Sequence, residues 1–338
     1  MTKEIKQLVQ SIGYPRNGSF EHRAPTESKD VLQAAEQNKV ASLYLRSLHD
    51  QGALDKLTGE FEKKQQYQSD FQRTSRRISQ MLSTGEEFAL VKSIHPFPAD
   101  ASDVDVVLFD DPDLHSLGPH LEEQGYHVLG IAPSAMTIRD ETTGQLVDLQ
   151  TFFGLHKVVY YDMKHMRDNV VNRKVDGDVL SVPARPYDLS LIVNHSVTEL
   201  MFLLKEYYAT VFMLETSDES DVLEFVEDVR FNDSVAGCQA FLAIVDWINS
   251  EFFSIEPKHM DLLRDEIGIS SHEREYAGTP LDFPHRYSRL SLTRFTVEKF
   301  KQPAFRGSFV EELPSFVHPS TAAYILRKVY GRSSRETY

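Results

Sequence analysis

The sequence predicts an α+β protein: a small mixed β-sheet with helices before it and a long helical region after it. Three observations predict this class. Apolar residues follow a helical period over much of residues 28–82. Between 87 and 152 the texture changes to short β-branched and aromatic runs broken by Gly, Pro and Asp. After Pro183 and Pro186 the pattern is helical almost throughout. These changes divide the chain into 1–85, 86–183 and 184–338, with the prolines marking the second boundary.

Taken in order, residues 1–27 hold Gly13, Pro15, Asn17, Gly18 and Pro25 and read as an irregular lead-in. Val40, Leu43, Tyr44 and Leu48 then share one helical face. A long helix is expected over 57–82, polar from Glu60 to Asp70. Residues 87–93 form a short apolar run, followed by the two-proline loop IHPFPADAS. Val104, Val106, Val107, Leu108 and Phe109 form a strand. Asp111-Pro112-Asp113 starts a helix over 113–125 that Gly125 closes. Strands are expected at 126–131, 135–139 and 145–152, with a turn at 141–144. The helical region is expected at 188–214, 219–231, 235–252, 258–267, 288–301 and 319–330. Tyr207, Tyr208, Phe212 and Trp247 read as core.

Composition excludes several classes. One cysteine in 338 residues allows no intramolecular disulfide and no Cys-rich zinc site. A net charge of -15 excludes a uniformly basic nucleic-acid binder and also suits an acid-adapted or halophilic proteome. Charge is uneven, however. From Pro284 onward there are ten Lys/Arg against four Asp/Glu, a net of +6 that leaves -21 for the first 283 residues. Such a basic tail, with Arg286, Arg289 and Arg294 in its first part, either docks on the acidic body or meets an anionic partner. The opening MTKEIKQLVQSIGYP has no signal-peptide run. The most apolar stretch, 189–214, carries His195, Glu199, Lys205 and Glu206, each costly in lipid. A cytoplasmic protein without membrane contact is expected.

The chemistry concentrates in Ser102-Asp103-Val104-Asp105-Val106-Val107-Leu108. Asp103 and Asp105 lie two apart on a strand and so face the same way. Two carboxylates on one face repel, which calls for a cation between them. Oxygen-only ligands suit Mg²⁺ or Mn²⁺. Asp148 interrupts another apolar strand, and a lone Asp there must be paired, hydrogen-bonded or metal-bound. Asp100, Asp110, Asp111 and Asp140 read as solvated turn residues, and Arg73, Arg76 and Arg77 as a solvated helix face.

Residues 87–153, with these aspartates, resemble the catalytic core of the nucleotidyltransferase superfamily that includes DNA polymerase beta. Members carry a Gly-Ser opening a helix, an Asp-x-Asp on the next strand and a third Asp on a later strand. Here Lys92-Ser93 stands where Gly-Ser is expected, ten residues before Asp103, and IHPFP replaces the Gly-rich segment. The text VKSIHPFPADASDVDVVLFD is more similar to a group of uncharacterised, largely archaeal nucleotidyltransferase-like proteins with the pattern "lvKt-PFP-xxSDvDvLv". HSVTELMFLLKEYY at 195–208 and RETY at 335–338 look similar to that group too.

The resemblance implies that NMP is moved from an NTP to a hydroxyl acceptor, releasing pyrophosphate. It implies that Asp103, Asp105 and Asp148 hold Mg²⁺ or Mn²⁺, and that Lys92, Ser93 and Ser102 meet the nucleotide. His195 and Glu199, four apart on one helix, either contact substrate or tie helix to sheet. Arg286 and Arg289 are possible acceptor contacts. The acceptor is left open between RNA, protein and a small molecule. Two alternatives stand beside this: a catalytically weak nucleotide-binding regulator of the same fold, and an RNA-end-modifying enzyme of the tRNA type.

Overall fold

The computed structural model describes residues 2–316, except 111, 133, 156–157, 176 and 270–280. The chain is α+β. The expected helix over 319–330 and the terminal RETY lie outside the described residues.

The lead-in is not irregular. Helix α1 (Lys3–Ile12) starts at a Thr2 cap and ends at Gly13. It forms because Ile5, Leu8, Val9 and Ile12 make a helical stripe, all of it buried. Gly13 has φ 88, and a Cβ there would lie 2.2 Å from the Glu21 carbonyl oxygen, so the turn into the hairpin β1 (Tyr14–Arg16) and β2 (Ser19–Glu21) requires glycine. The next helical stretch is two helices, α2 (Lys29–Gln37) and α3 (Ala41–Asp50), separated where Lys39 turns left-handed at φ 56. Helix α4 runs from Thr58 to Leu82.

The central sheet contains β3 (Phe88–Leu90), β4 (Asp103–Leu108), β5 (Tyr126–Ala132), β6 (Ala135–Asp140) and β7 (Leu146–Gln150). Helix α5 (Leu114–Glu123) joins β4 to β5. Strand order is β3-β4-β7-β6-β5. Only the β4–β7 pair is parallel; the other three are antiparallel. A crossover containing α5 and the β5–β6 hairpin makes that parallel pairing possible.

Beyond the sheet come β8 (Gly154–Leu155), β9 (Val158–Val159), α6 (Met163–Asp168) and the hairpin β10 (Val170–Val175) and β11 (Asp178–Pro183). The helical region opens with α7 (Arg185–Thr198), β12 (Met201–Phe202) and α8 (Leu204–Thr216). The helix expected over 188–214 is thus broken, with Leu200 left-handed at φ 61 and Met201–Phe202 paired with β13 (His285–Arg286). Then follow α9 (Glu219–Phe231), α10 (Val235–Ile248), a π turn over Asn249–Phe253, α11 (Met260–Ile267), α12 (Arg289–Lys299) and α13 (Pro303–Phe316).

Three apolar clusters organise these elements. The largest joins α1–α3 to α7–α12, so the N-terminal helices and the helical region share one core that includes Tyr44, Phe202, Tyr207, Tyr208 and Phe241. The second lies on the sheet face formed by Val104, Val106, Val147 and Ile138, covered by α4, α5 and Leu180 and Val182 of β11. The third, on the opposite face, holds Ala89, Val91, Val107, Phe109, Phe153 and Leu191.

Two expectations are corrected here. Asp140 and Asp100 are not solvated. Asp140 is fully buried, accepting from Thr74 and Arg77 of α4, and Arg77 also lies over the Tyr126 ring. Asp100 is buried, accepting from the Ser42 amide and hydroxyl and from Lys64. Arg77 therefore clamps α4 to the sheet instead of facing solvent, and Arg76 pairs with Asp178 of β11. Asp110 does lie at the surface, paired with Arg167.

Candidate active site

Parallel pairing of β4 and β7 decides the geometry. Asp103 stands opposite Leu146 and Asp105 opposite Asp148. Residues opposite one another in a ladder share a face, so all three aspartates project from the face opposite Val104 and Val147. β6 extends the face: Thr137 stands opposite Asp148, and its hydroxyl donates to Asp148 Oδ1 at 2.7 Å. Asp103, Asp105 and Asp148 are all half-buried. Arg139, two along β6 from Thr137 and exposed, belongs to the same face.

The loop after β3 closes one side. Lys92 takes the position where glycine was expected and keeps the left-handed backbone that favours glycine, at φ 55. Two bonds hold this turn: the Val91 amide donates to the Asp105 carbonyl at 3.0 Å, and the Lys92 amide donates to Asp188 at 3.4 Å. The turn aims Lys92 Nζ at Asp105, 3.3 Å away, and over the Phe153 ring at 5.1 Å. Ser93 Oγ accepts from the Asp105 amide at 3.0 Å and donates to the Val91 carbonyl at 2.9 Å. Ser93 thus fixes the strand that carries the carboxylates. No helix opens at Lys92-Ser93; residues 91–102 are loop. Ser102 donates to Asp103 at 3.0 Å.

Electrostatics separates the carboxylates. Burial raises the Asp103 pKa, and the neighbouring Asp148 charge raises it further; Lys92 opposes both. Burial also raises Asp105, with Lys92 and Lys205 pulling it down. Asp103 thus repels both Asp148 and Asp105, and Lys92 offsets part of the charge at Asp105.

Three carboxylates on one face form an all-oxygen donor set of the kind a hard divalent cation takes, so the residues fit Mg²⁺ or Mn²⁺ by chemistry. They are not drawn together around a point: among the described residues, no three His, Cys, Asp or Glu groups stand as a ready metal cluster.

Of the residues singled out in the sequence, the structure brings together Asp103, Asp105, Asp148, Lys92, Ser93 and Ser102. His195 joins them from α7, its ring 6.1 Å from that of Phe153 and lining a narrow gap with Lys92, His95 and Lys205. Glu199 caps the end of the same helix. Arg286 and Arg289 belong elsewhere, on β13 and at the head of α12, which packs on α10. Arg327, Lys328, Arg332 and Arg335 of the basic tail lie outside the described residues.

Sequence reasoning missed four participants. Thr137 and Asp188 carry no signal in one sequence, because only the fold sets them beside Asp148 and Lys92. Lys205 and His95 do stand inside the stretches that carry the resemblance. His95 is held neutral, its pKa lowered to about 3 mainly by burial and then by Lys205. Its Nε2 is buried without a hydrogen-bond partner.

Two larger cavities flank the loop that carries His95, and neither is lined by the carboxylates. One of about 490 Å³ lies between the loop and α3–α4, bounded by Ser42, Arg46, Lys64, Gln68, Ser93 and His95. The other, of about 310 Å³, lies between the loop, the β10–β11 hairpin and α7–α8. We place the candidate chemistry at the carboxylate face, because titratable groups converge there. The larger cavity meets it at Ser93, and the smaller at Asp188, which accepts from the Lys92 amide. No protein-family model matches the chain, and no curated protein matches it.

Proposed function

We propose that the protein is a metal-dependent nucleotidyltransferase, acting on an NTP and a hydroxyl acceptor. One observation carries the reading: Asp103, Asp105 and Asp148 project from one face of two adjacent parallel strands, with Lys92 and Ser93 beside them. Asp103, Asp105 and Asp148 would hold Mg²⁺ or Mn²⁺. The ion would supply charge neutralisation for a polyphosphate and for its leaving group. Lys92 offers an ammonium to a phosphate oxygen, which weakens its grip on Asp105 and frees that carboxylate as a ligand. Ser93 fixes the strand that carries Asp103 and Asp105, and Thr137 orients the Asp148 carboxylate, so little reorganisation is needed. Asp148, oriented by Thr137, is the group placed to take the proton of the acceptor hydroxyl.

The Lys92–Asp105 pair also supports a second reading, a nucleotide-binding regulator with little turnover, since a lysine already fills a ligand's place. Incubation with each α-labelled NTP, Mg²⁺ or Mn²⁺ and cell extract tests both. Transfer of label that falls at least ~10²-fold in Asp103→Asn or Asp105→Asn supports the enzyme. Metal-dependent NTP binding with no labelled acceptor supports the regulator. Transfer that survives either substitution removes the carboxylates from the reaction.

A further inference from the structure

We propose that the cavity between the β10–β11 hairpin and α7–α8 is a binding site for a phosphate-bearing ligand with an apolar portion. It rests on the cavity and not on the nucleotidyltransfer reading.

Arg173, Lys174 and Arg185 line this space of about 310 Å³. They come from two elements, β10 and the first residue of α7, so the fold and not a single charged run assembles them. Among the described residues, none of the three has a carboxylate at ion-pair distance. The Arg173 guanidinium donates to the Pro183 carbonyl at 3.3 Å. Asp188, the one acid lining the cavity, offsets part of its charge and leaves the three cations in excess. Burial lowers the Arg173 pKa; Asp188 opposes this and Arg185, near enough to repel, adds to it. Like charges gathered at one opening are stabilised by an anion between them.

Two guanidiniums and an ammonium match a phosphate dianion better than a carboxylate, because each guanidinium can donate two parallel N–H bonds. The rest of the wall is apolar: Ile94, Ile192, Phe212 and Met213 among others. A wholly polar ion would leave that surface wet, so the ligand carries an apolar or aromatic part as well. His95 lines the same cavity.

The site is joined to the carboxylate face. Asp188 lines the cavity and accepts from the Lys92 amide. A ligand here is thus one turn of backbone from Lys92 Nζ.

The test is isothermal titration of the full chain with pyrophosphate and, separately, phenyl phosphate, without divalent metal. The wild type should bind both saturably, phenyl phosphate at least as tightly. Arg185→Gln, at an exposed position, should weaken both at least ~10-fold. Arg173→Lys should weaken them less than Arg173→Gln, because charge is kept and the fork is lost. Phe212→Ala should weaken phenyl phosphate alone. Asp103→Asn should leave metal-free binding unchanged, whatever it does to metal-dependent NTP binding or transfer. The proposal is overturned if the wild type shows no saturable binding, or if Arg185→Gln binds as the wild type does.

Discussion

At the residue scale, Lys92 carries the largest departure from the pattern that the sequence resembles. It stands in a glycine's place, keeps a left-handed backbone and offsets the strain with its contact to Asp105. Left-handed backbone costs a non-glycine residue roughly 1–2 kcal/mol. Lys92→Ala should therefore lose the ion pair and keep the strain, whereas Lys92→Gly loses the pair and relieves the strain. We expect Lys92→Gly to melt above Lys92→Ala, by about 1 kcal/mol in unfolding free energy. Equal stability of the two variants would contradict this account of the turn.

Asp188 gives a pH prediction. Burial is the main cause of its raised pKa, about 6, against the opposing pull of Arg173. In the unfolded chain it ionises near 4. Between those values the folded protein keeps the proton that the unfolded chain releases. Its contribution to stability is therefore full below about pH 4 and is lost as pH rises through 6. Asp188→Asn should remove that dependence. The variant should gain up to roughly 2–3 kcal/mol over the wild type at pH 7.5, and the gain should vanish near pH 4. Urea unfolding at both pH values measures this; a variant less stable at pH 7.5 would contradict it.

At the element scale, most strands and helices were legible because their periods are strong. Helix α9 spans the residues expected, and α4 differs by one. What failed, failed for physical reasons. The turn formers at 13–25 follow directly on the short stripe of Ile5, Leu8, Val9 and Ile12 that makes α1, and one ten-residue helix is a weak periodic signal beside them. The break at Leu200 was hidden because an apolar run is equally compatible with one buried helix or two. Asp100 and Asp140 read as turn residues because burial by a distant helix leaves no local mark; the acids meet Ser42, Lys64, Thr74 and Arg77 only in three dimensions.

One inter-element contact is tight enough to test. A Cβ on Gly237 of α10 would lie 2.6 Å from the Phe295 ring of α12, and Phe295 is buried. Gly237→Ala should destabilise the protein by about 1–3 kcal/mol through overpacking. Adding Phe295→Leu should recover part of that loss, which a double-mutant cycle reads directly. Additive losses would mean that the two helices do not meet in this way.

At the scale of the whole molecule, the candidate site was legible where chemistry is written into local pattern and hidden where the fold alone supplies it. Asp103 and Asp105 declare themselves by spacing. Asp148 could be suspected as a lone acid on an apolar strand, but only the parallel β4–β7 register sets it opposite Asp105. Its support from Thr137, and the Lys92–Asp188 link to a cationic cavity, are products of topology. Neither of the two larger cavities is lined by Asp103, Asp105 or Asp148, so the proposed binding cavity and the proposed chemistry would occupy neighbouring regions that meet at the 92–95 loop. Among the described residues, no helix is long and apolar enough to cross a membrane.

The central claim is that the three aspartates act together in nucleotidyl transfer, and Asp148→Asn tests it most directly. The asparagine keeps the acceptor for Thr137, removes the repulsion with Asp103 and removes the base. Melting temperature without metal should stay level or rise. Metal-dependent NTP affinity should stay near that of the wild type, because Asp103 and Asp105 remain. Transfer of label from an α-labelled NTP should fall by at least ~10²-fold. A large loss of melting temperature, with unchanged specific activity in the folded fraction, would show that Asp148 is a structural acid and would contradict the account.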